Sequence, residues 1–242
     1  MRRIGFSTGA LAKGDFQRGI ELQAGHADAV ELSALREGEL DALIEALPQL
    51  NLEGFQYVSF HAPSRRVELS EPELVDRLKR VADFVSAIIV HPDVIENFAV
   101  WKSIEQQIVI ENMDQRKPGG RTAREIQRYF DELPEARFCF DIAHARQVDP
   151  TLSIGVEMLR AFSDRLVEVH ISEVDASSQH VAISSAAMSS YREIASLIPE
   201  SIPAIVESIV GSDAIHDEIQ MAKASLNDTR VDSQLTEFAA CR

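Results

Sequence analysis

The sequence lacks the features that would place the protein in a membrane or a secreted class. Only two of its 242 residues are cysteines, too few for a disulfide framework, which favours a reducing compartment. No apolar run approaches the roughly 18 residues that suggest a membrane helix. The N-terminus also shows no long apolar region of the kind that signal peptides contain. We therefore expect a cytoplasmic protein that makes no contact with a membrane.

Positive charge is also scarce, because 24 Lys and Arg residues stand against 39 Asp and Glu residues, a formal net charge of −15. A surface this acidic repels phosphate backbones, whereas nucleic-acid-binding proteins need a basic footprint. The charge therefore argues against nucleic acid as a partner. No Gly-rich phosphate fingerprint follows any predicted strand, which argues against a nucleotide cofactor and against a doubly wound open sheet.

What the sequence does contain is a regular alternation of short apolar runs with amphipathic helical segments, such as residues 37–47. Eight such strand–helix units fit into about 225 residues, roughly 28 per unit, which is close to the average of a (β/α)₈ barrel. The sequence thus predicts an α/β fold, a single TIM barrel of eight parallel strands with outer helices, over residues 1–226. Residues 227–242 are predicted to form a polar C-terminal tail.

Six of the apolar runs end on a residue that can bind a metal ion or transfer a proton. Parallel strands bring their carboxyl ends to one edge, and in a barrel active sites lie at that edge. The six residues are His61, His91, Glu111, Asp141, His170 and Glu207. The three acids and His170 suit a divalent ion such as Mn²⁺, Mg²⁺, Co²⁺ or Zn²⁺. Without a cation, carboxylates this close together would repel one another.

The segments at predicted strands five to eight resemble the xylose-isomerase-like TIM-barrel superfamily, which includes sugar isomerases and epimerases as well as endonuclease IV. The matching segments are IVIENM at 108–113, FDIAH at 140–144, VHI at 169–171 and VE at 206–207. By this resemblance, one metal ion is bound by Glu111, Asp141, His170 and Glu207. The two glutamates serve as catalytic acid and base, and His144 contacts the substrate.

The resemblance implies a divalent-metal-dependent sugar or sugar-phosphate isomerase or epimerase of carbohydrate metabolism. Such an enzyme transfers a proton through a metal-stabilised enediolate. The implied partner is a small sugar or sugar phosphate. The sequence leaves open whether the chain forms a homo-oligomer. The loops that follow the strands are more basic than the rest of the chain, so the predicted substrate-binding residues are Arg65, Arg116 and Arg146 together with His144.

The endonuclease-type members of the superfamily use a larger set of ligands that holds three zinc ions. His61, His91, His144 and His180 match histidines of that set and are candidates for a second metal or for lining the pocket. The pattern expects an aspartate two residues before the last histidine, and this chain has Ser178 there. The alternatives are therefore a two- or three-zinc phosphoester hydrolase resembling endonuclease IV, and a non-catalytic barrel that binds a metabolite.

Overall fold

The computed structural model describes residues 1–227, so the predicted tail beyond Asn227 lies outside the described residues. Eight parallel strands form a closed barrel, which confirms the predicted (β/α)₈ architecture. Its strands are β1 (Ile4–Ser7), β2 (Ala29–Ser33), β3 (Tyr57–His61), β4 (Ala87–Val90), β5 (Ile108–Glu111), β6 (Arg137–Asp141), β7 (Leu166–Ile171) and β10 (Ala204–Val206). Strands β1 to β7 pair in chain order, and β10 closes the barrel between β7 and β1.

Two further strands, β8 (Glu173–Val174) and β9 (His180–Val181), form a short antiparallel hairpin between β7 and β10. The hairpin lies in the long loop that follows β7, over residues 172–184, and gives that loop a structure of its own. It places His180 above the carboxyl end of the barrel, beside Glu207, which follows β10. The long loop therefore contributes directly to the end of the barrel where the predicted site lies.

Helices pack around the barrel and cover its hydrophobic outer surface. Within residues 1–227 they are α1 (Thr8–Ala12), α2 (Phe16–Gln23), α3 (Glu37–Ala46), α4 (Glu71–Lys79), α5 (Phe98–Trp101), α6 (Ala123–Glu132), α7 (Ile142–Val148), α8 (Ser153–Ala161), α9 (Ser185–Ile194) and α10 (Ile215–Leu226). In α6, for example, Ile126, Tyr129 and Phe130 recur at helical spacing and are buried against the core. None of the described helices has the length and apolar character needed to cross a bilayer.

Side chains alternate along each strand between the outer core and the barrel interior, as the pleat of a strand requires. In β5, Ile108 and Ile110 pack in the large core under the helices, whereas Val109 belongs to a small cluster inside the barrel. One further step of two residues leads from Val109 to Glu111. The same step leads from Ile89 to His91, from Cys139 to Asp141 and from Ile205 to Glu207. These four strands therefore give the interior an apolar layer below a polar layer at its carboxyl end.

Candidate metal centre

The four side chains that were predicted to bind a metal converge in this polar layer. Glu111 and Asp141 are the last residues of β5 and β6, His170 is the penultimate residue of β7, and Glu207 directly follows β10. One candidate ligand atom from each residue lies within 4.8 Å of those from the other three. Glu207 is 12% exposed, and the other three are at most 1% exposed. The barrel thus assembles the predicted set in a nearly dry environment.

One carboxylate oxygen of Asp141 is held by local structure, and the other is left without a partner. Oδ1 accepts a hydrogen bond of 2.6 Å from the backbone N–H of His144 and so caps α7, while Asn112 holds the backbone of Asp141. Within the described chain, Oδ2 of Asp141, Oε2 of Glu207 and Nδ1 of His170 are buried without a hydrogen-bond partner. Unpaired buried polar atoms are costly, and a shared cation would satisfy all three. The residues present therefore fit a metal ion.

Glu111 lies between two pairs of histidines. Its Oε2 atom is 3.3 Å from Nε2 of His61 and 3.2 Å from Nε2 of His91. Its Oε1 atom is 3.3 Å from Nδ1 of His170 and 3.4 Å from Nδ1 of His144. A carboxylate that presents each oxygen to a different group of imidazoles has the arrangement of a ligand shared by two metal ions. His61 and His91 are thus placed to hold a second ion.

Hydrogen bonds fix which ring nitrogen of two of these histidines can bind a metal. Nδ1 of His61 lies 2.7 Å from the carbonyl oxygen of Ala62, and Nε2 of His170 lies 2.9 Å from Oε1 of Glu168. Each of these nitrogens carries the proton that the acceptor requires. The opposite nitrogens, Nε2 of His61 and Nδ1 of His170, face Glu111 and are the atoms that would bind a metal ion.

The residues around His180 do not complete the ligand set of a third metal ion. His180 lies 3.7 Å from Oε2 of Glu207, and its ring is 5.4 Å from that of His144. Ser178 is buried, but its hydroxyl bonds the side chain of Gln147. Asp175, the nearest acid in the sequence, accepts hydrogen bonds from the turn between β8 and β9. Neither residue supplies the carboxylate that the three-metal pattern expects.

The interior of the site holds more acidic than basic groups, and its pKa values reflect this imbalance. Burial raises the pKa of Asp141 to about 8, and the neighbouring Glu207 and Glu111 add to the effect. Burial lowers the pKa of His61, but Glu31 and Glu111 outweigh it and raise the pKa to about 9. Protons therefore supply part of the positive charge in the metal-free protein, and metal binding would displace them.

A cavity of about 460 Å³ opens above the polar layer. Six candidate ligands line it, namely His61, His91, Glu111, His144, His180 and Glu207. Four cationic side chains also line it: Arg36, Arg65, Arg116 and Lys117. Its volume is in the range that small-molecule sites occupy.

The cations around the cavity differ in how far they are neutralised. Arg116 forms a two-point ion pair with Asp114, with contacts of 3.1 and 2.7 Å, and Lys117 lies 2.7 Å from a carboxylate oxygen of Asp93. Arg65 is exposed and has no ion-pair partner among residues 1–227. Arg65 is therefore the cation most available to an anionic ligand.

The structure places Arg146 away from the cavity and reveals one further buried acid, Glu168. Arg146 is not among the residues that line the cavity, because its guanidinium binds Glu173 at 2.9 Å. Glu168, which was not singled out from the sequence, lies inside the barrel directly behind His170. The signal for it was an acidic residue within an apolar strand, two positions before a ligand and therefore on the same face of the strand.

Comparison with known proteins agrees with this fold and does not assign a family. No protein-family model matches the chain, and no curated protein matches it either. Among solved structures, endonuclease IV from Thermus thermophilus is similar, with a TM-score of 0.62 and 20% identity over 93% of this chain and 98% of that one. A candidate sugar phosphate isomerase/epimerase from Anabaena variabilis has a TM-score of 0.58 and 14% identity, covering 98% and 99% of the two chains.

The probable 3-DHS dehydratase AsbF from Bacillus anthracis is also similar, with a TM-score of 0.61 and 9% identity over 92% of this chain and 99% of that one. These likenesses agree with the closed eight-stranded barrel that the alternation of strands and helices in the sequence predicted. At identities this low the likeness shows the fold, and the chemistry has to be argued from the site itself.

Proposed function

We propose that this protein is a metal-dependent enzyme that hydrolyses a phosphate ester at a two-metal centre bridged by Glu111. The observation that carries the proposal is the position of Glu111 between His61 and His91 on one side and His170 and His144 on the other. A single ion held by Glu111, Asp141, His170 and Glu207 would leave His61 and His91 without a function. A second ion gives both of them a ligand role.

The chain's own residues divide into ligands and substrate-binding groups. His61 and His91 would hold one ion, while Asp141, His170 and Glu207 would hold the other, and Glu111 would join them. A pair of ions held by these residues would supply the positive charge that polarises a phosphoryl oxygen and makes a water molecule more acidic. In the overall reaction, water forms a new oxygen–phosphorus bond, the ester bond breaks, and the alcohol leaves with one of the protons of that water.

The cavity favours a small anionic substrate over a polymer. Its volume of about 460 Å³ suits a sugar phosphate or a molecule of similar size. Arg65, which has no ion-pair partner among residues 1–227, lines the cavity and would bind a substrate oxygen that does not react, since Arg pairs well with phosphate and carboxylate. The net charge of −15 opposes the approach of a long nucleic acid. We therefore propose a ligand set like that of the endonuclease-type barrels, with a small phosphate ester in place of DNA as the substrate.

Isomerisation or epimerisation of a sugar or sugar phosphate is the second candidate, because the four-ligand set is complete without His61 and His91. Glu207 is 12% exposed and lines the cavity, as an acid or base that meets substrate must. Glu111 fits that role less well, since it is 1% exposed and each of its oxygens lies within 3.4 Å of two imidazole nitrogens. A non-catalytic barrel would have no use for the unpaired buried atoms of the ligand set.

The test is to follow both reactions in one experiment. The Zn²⁺- or Mn²⁺-loaded protein is incubated with a panel of sugar phosphates in ¹⁸O-labelled heavy water. Phosphorus-31 NMR then detects labelled inorganic phosphate, and proton NMR detects deuterium on carbon. We expect labelled phosphate to form, and its release to be lost in His91→Asn but kept in His216→Asn, a matched change at an exposed histidine of α10. Deuterium on carbon without release of phosphate would contradict hydrolysis and identify the protein as an isomerase or epimerase.

A further inference from the structure

A chain of buried polar groups runs behind the proposed metal centre, on the side away from the cavity. Nε2 of His170 lies 2.9 Å from Oε1 of Glu168 and 3.2 Å from Oε2 of Glu31. The hydroxyl of Tyr57 donates a hydrogen bond of 2.6 Å to Oε2 of Glu168, and Ser33 donates one of 3.2 Å to Oε1 of Glu31. His170, Glu168 and Glu31 are each 0% exposed. Two carboxylates therefore face a single imidazole N–H in the interior of the barrel.

The strand register places both acids there. Glu168 lies two residues before His170 on β7, so both side chains point into the barrel. Glu31 lies in the middle of β2 and approaches the same nitrogen from across the barrel. Only Glu168 has hydrogen-bond geometry to His170, because Oε2 of Glu31 has no hydrogen-bond partner among the described residues. Glu168 thus fixes the ring, and Glu31 contributes negative charge.

This arrangement is unfavourable for the fold taken alone. Two buried carboxylates repel each other, and burying a charge costs free energy unless it is well paired. If the acids served only to hold the barrel together, apolar residues of similar size would do so at lower cost. Both acids lie against Nε2 of His170, whereas Nδ1 on the other side of the ring faces the proposed metal centre. This position suggests that they act on the ring.

We propose that Glu168, supported by the charge of Glu31, is a positioning residue that holds His170 as a metal ligand. Glu168 keeps the proton on Nε2, orients the ring, and leaves the lone pair of Nδ1 directed at Glu111 and Glu207. A carboxylate behind a ligating histidine also makes the ring a stronger donor, and its loss costs about 10- to 100-fold in metal affinity. The inference rests on the metal centre proposed above but not on the reaction assigned to it.

The test compares two glutamate-to-glutamine changes that are equal in size and in charge. Glu168→Gln removes the charge behind His170. Glu71→Gln is the matched control, because Glu71 is 7% exposed and accepts hydrogen bonds from the backbone of Glu96 and Asn97 and from the indole of Trp101. For both variants, Zn²⁺ affinity is measured by competition with a chelator, and the melting temperature is measured on metal-free protein.

Glu168→Gln is expected to bind Zn²⁺ about 10- to 100-fold more weakly at the four-ligand site, with a metal-free melting temperature equal to or above that of the wild type. Glu71→Gln is expected to show the reverse pattern, a lower melting temperature and wild-type affinity. Glu31→Gln should weaken binding less than Glu168→Gln does. Wild-type affinity in Glu168→Gln, or a metal-free melting temperature that falls as in Glu71→Gln, would overturn the positioning role.

The outcomes separate this inference from the proposed function. If the wild-type protein binds Zn²⁺ but releases no phosphate from any ester, the hydrolase proposal fails and the role of Glu168 stands. If hydrolysis occurs and Glu168→Gln retains full affinity, the role of Glu168 fails alone. If the wild-type protein binds neither Zn²⁺ nor Mn²⁺, both fail, because His170 then has no ion to be positioned for.

Discussion

The number of metal ions that stabilise the fold can be predicted from the arrangement around Glu111. In the proposed centre two sites share this carboxylate, one completed by His61 and His91 and the other by Asp141, His170 and Glu207. Removing His91 should empty the first site and leave the second intact. Among residues 1–227, the ion pairs of His91 reach Glu111 and none of Asp141, His170 and Glu207. The variant His91→Asn therefore tests whether the chain holds one ion or two.

The size of the effect follows from mass action. An ion present at 100 times its Kd stabilises the folded state by about 2.7 kcal/mol. In a domain of this length, about 1 kcal/mol shifts the melting temperature by roughly 2–4 °C. Each occupied site should thus add roughly 5–10 °C, and two sites roughly twice that. The wild-type protein should show the two-site shift between chelator and saturating Zn²⁺, and His91→Asn should show about half of it.

The assay combines calorimetric melting with elemental analysis of protein freed of loosely bound ions. Two ions per chain in the wild type and one in His91→Asn would agree with the predicted shifts. His216→Asn serves as the control and should match the wild type in both measurements. A single Zn²⁺ ion per wild-type chain at saturation would refute the two-site centre. Two ions in His91→Asn, with the melting temperature of the wild type, would refute the ligand role of His91.

Three further predictions follow from single features of the structure. Arg65→Met should raise KM for a phosphorylated substrate about tenfold or more with little change in kcat, since a hydrogen bond to a charged group contributes about 1.5–3 kcal/mol; a fall in kcat alone would contradict a binding role. Zn²⁺ affinity measured by chelator competition should rise from pH 6 to pH 9. Neighbouring carboxylates raise the pKa of His61 to about 9 in the metal-free protein, so its ring must lose a proton before the metal binds. An affinity that is independent of pH would exclude His61 as a ligand. Phe138→Ala should destabilise metal-free protein by about 3–5 kcal/mol in denaturant unfolding, because Phe138 is fully buried and its ring packs against Phe130 and Phe162; a loss below about 1 kcal/mol would mean that the site collapses around the cavity.

The barrel and the convergence of its strand ends could be predicted from the sequence, because both follow from local periodicity. Short runs rich in Val, Ile and Phe alternate with amphipathic helices, and parallel strands necessarily share the direction in which they end. A residue that closes such a run must therefore lie at the carboxyl edge. For this reason the sequence alone places Glu111, Asp141, His170 and Glu207 at one end of the barrel.

Distances across the barrel could not be predicted, because they depend on which side chains from non-adjacent strands meet. Sequence order places His61 and His91 at the same edge as Glu111, but only the closed barrel directs both to one of its oxygens. The sequence likewise marks Arg146 as a basic loop residue, and only the packing of β8 against α7 pairs it with Glu173.

Glu168 shows the same division most clearly. Its alternation with His170 along β7 is local and is written in the sequence, so its inward direction was open to prediction. Its partners are not local, since Tyr57 comes from β3 and Glu31 from β2, more than 100 residues away along the chain. The sequence alone determined which residues reach the carboxyl end of the barrel. Only the tertiary structure decided which of them converge around Glu111 and which acid contacts His170 from behind, because those contacts exist only once the barrel closes.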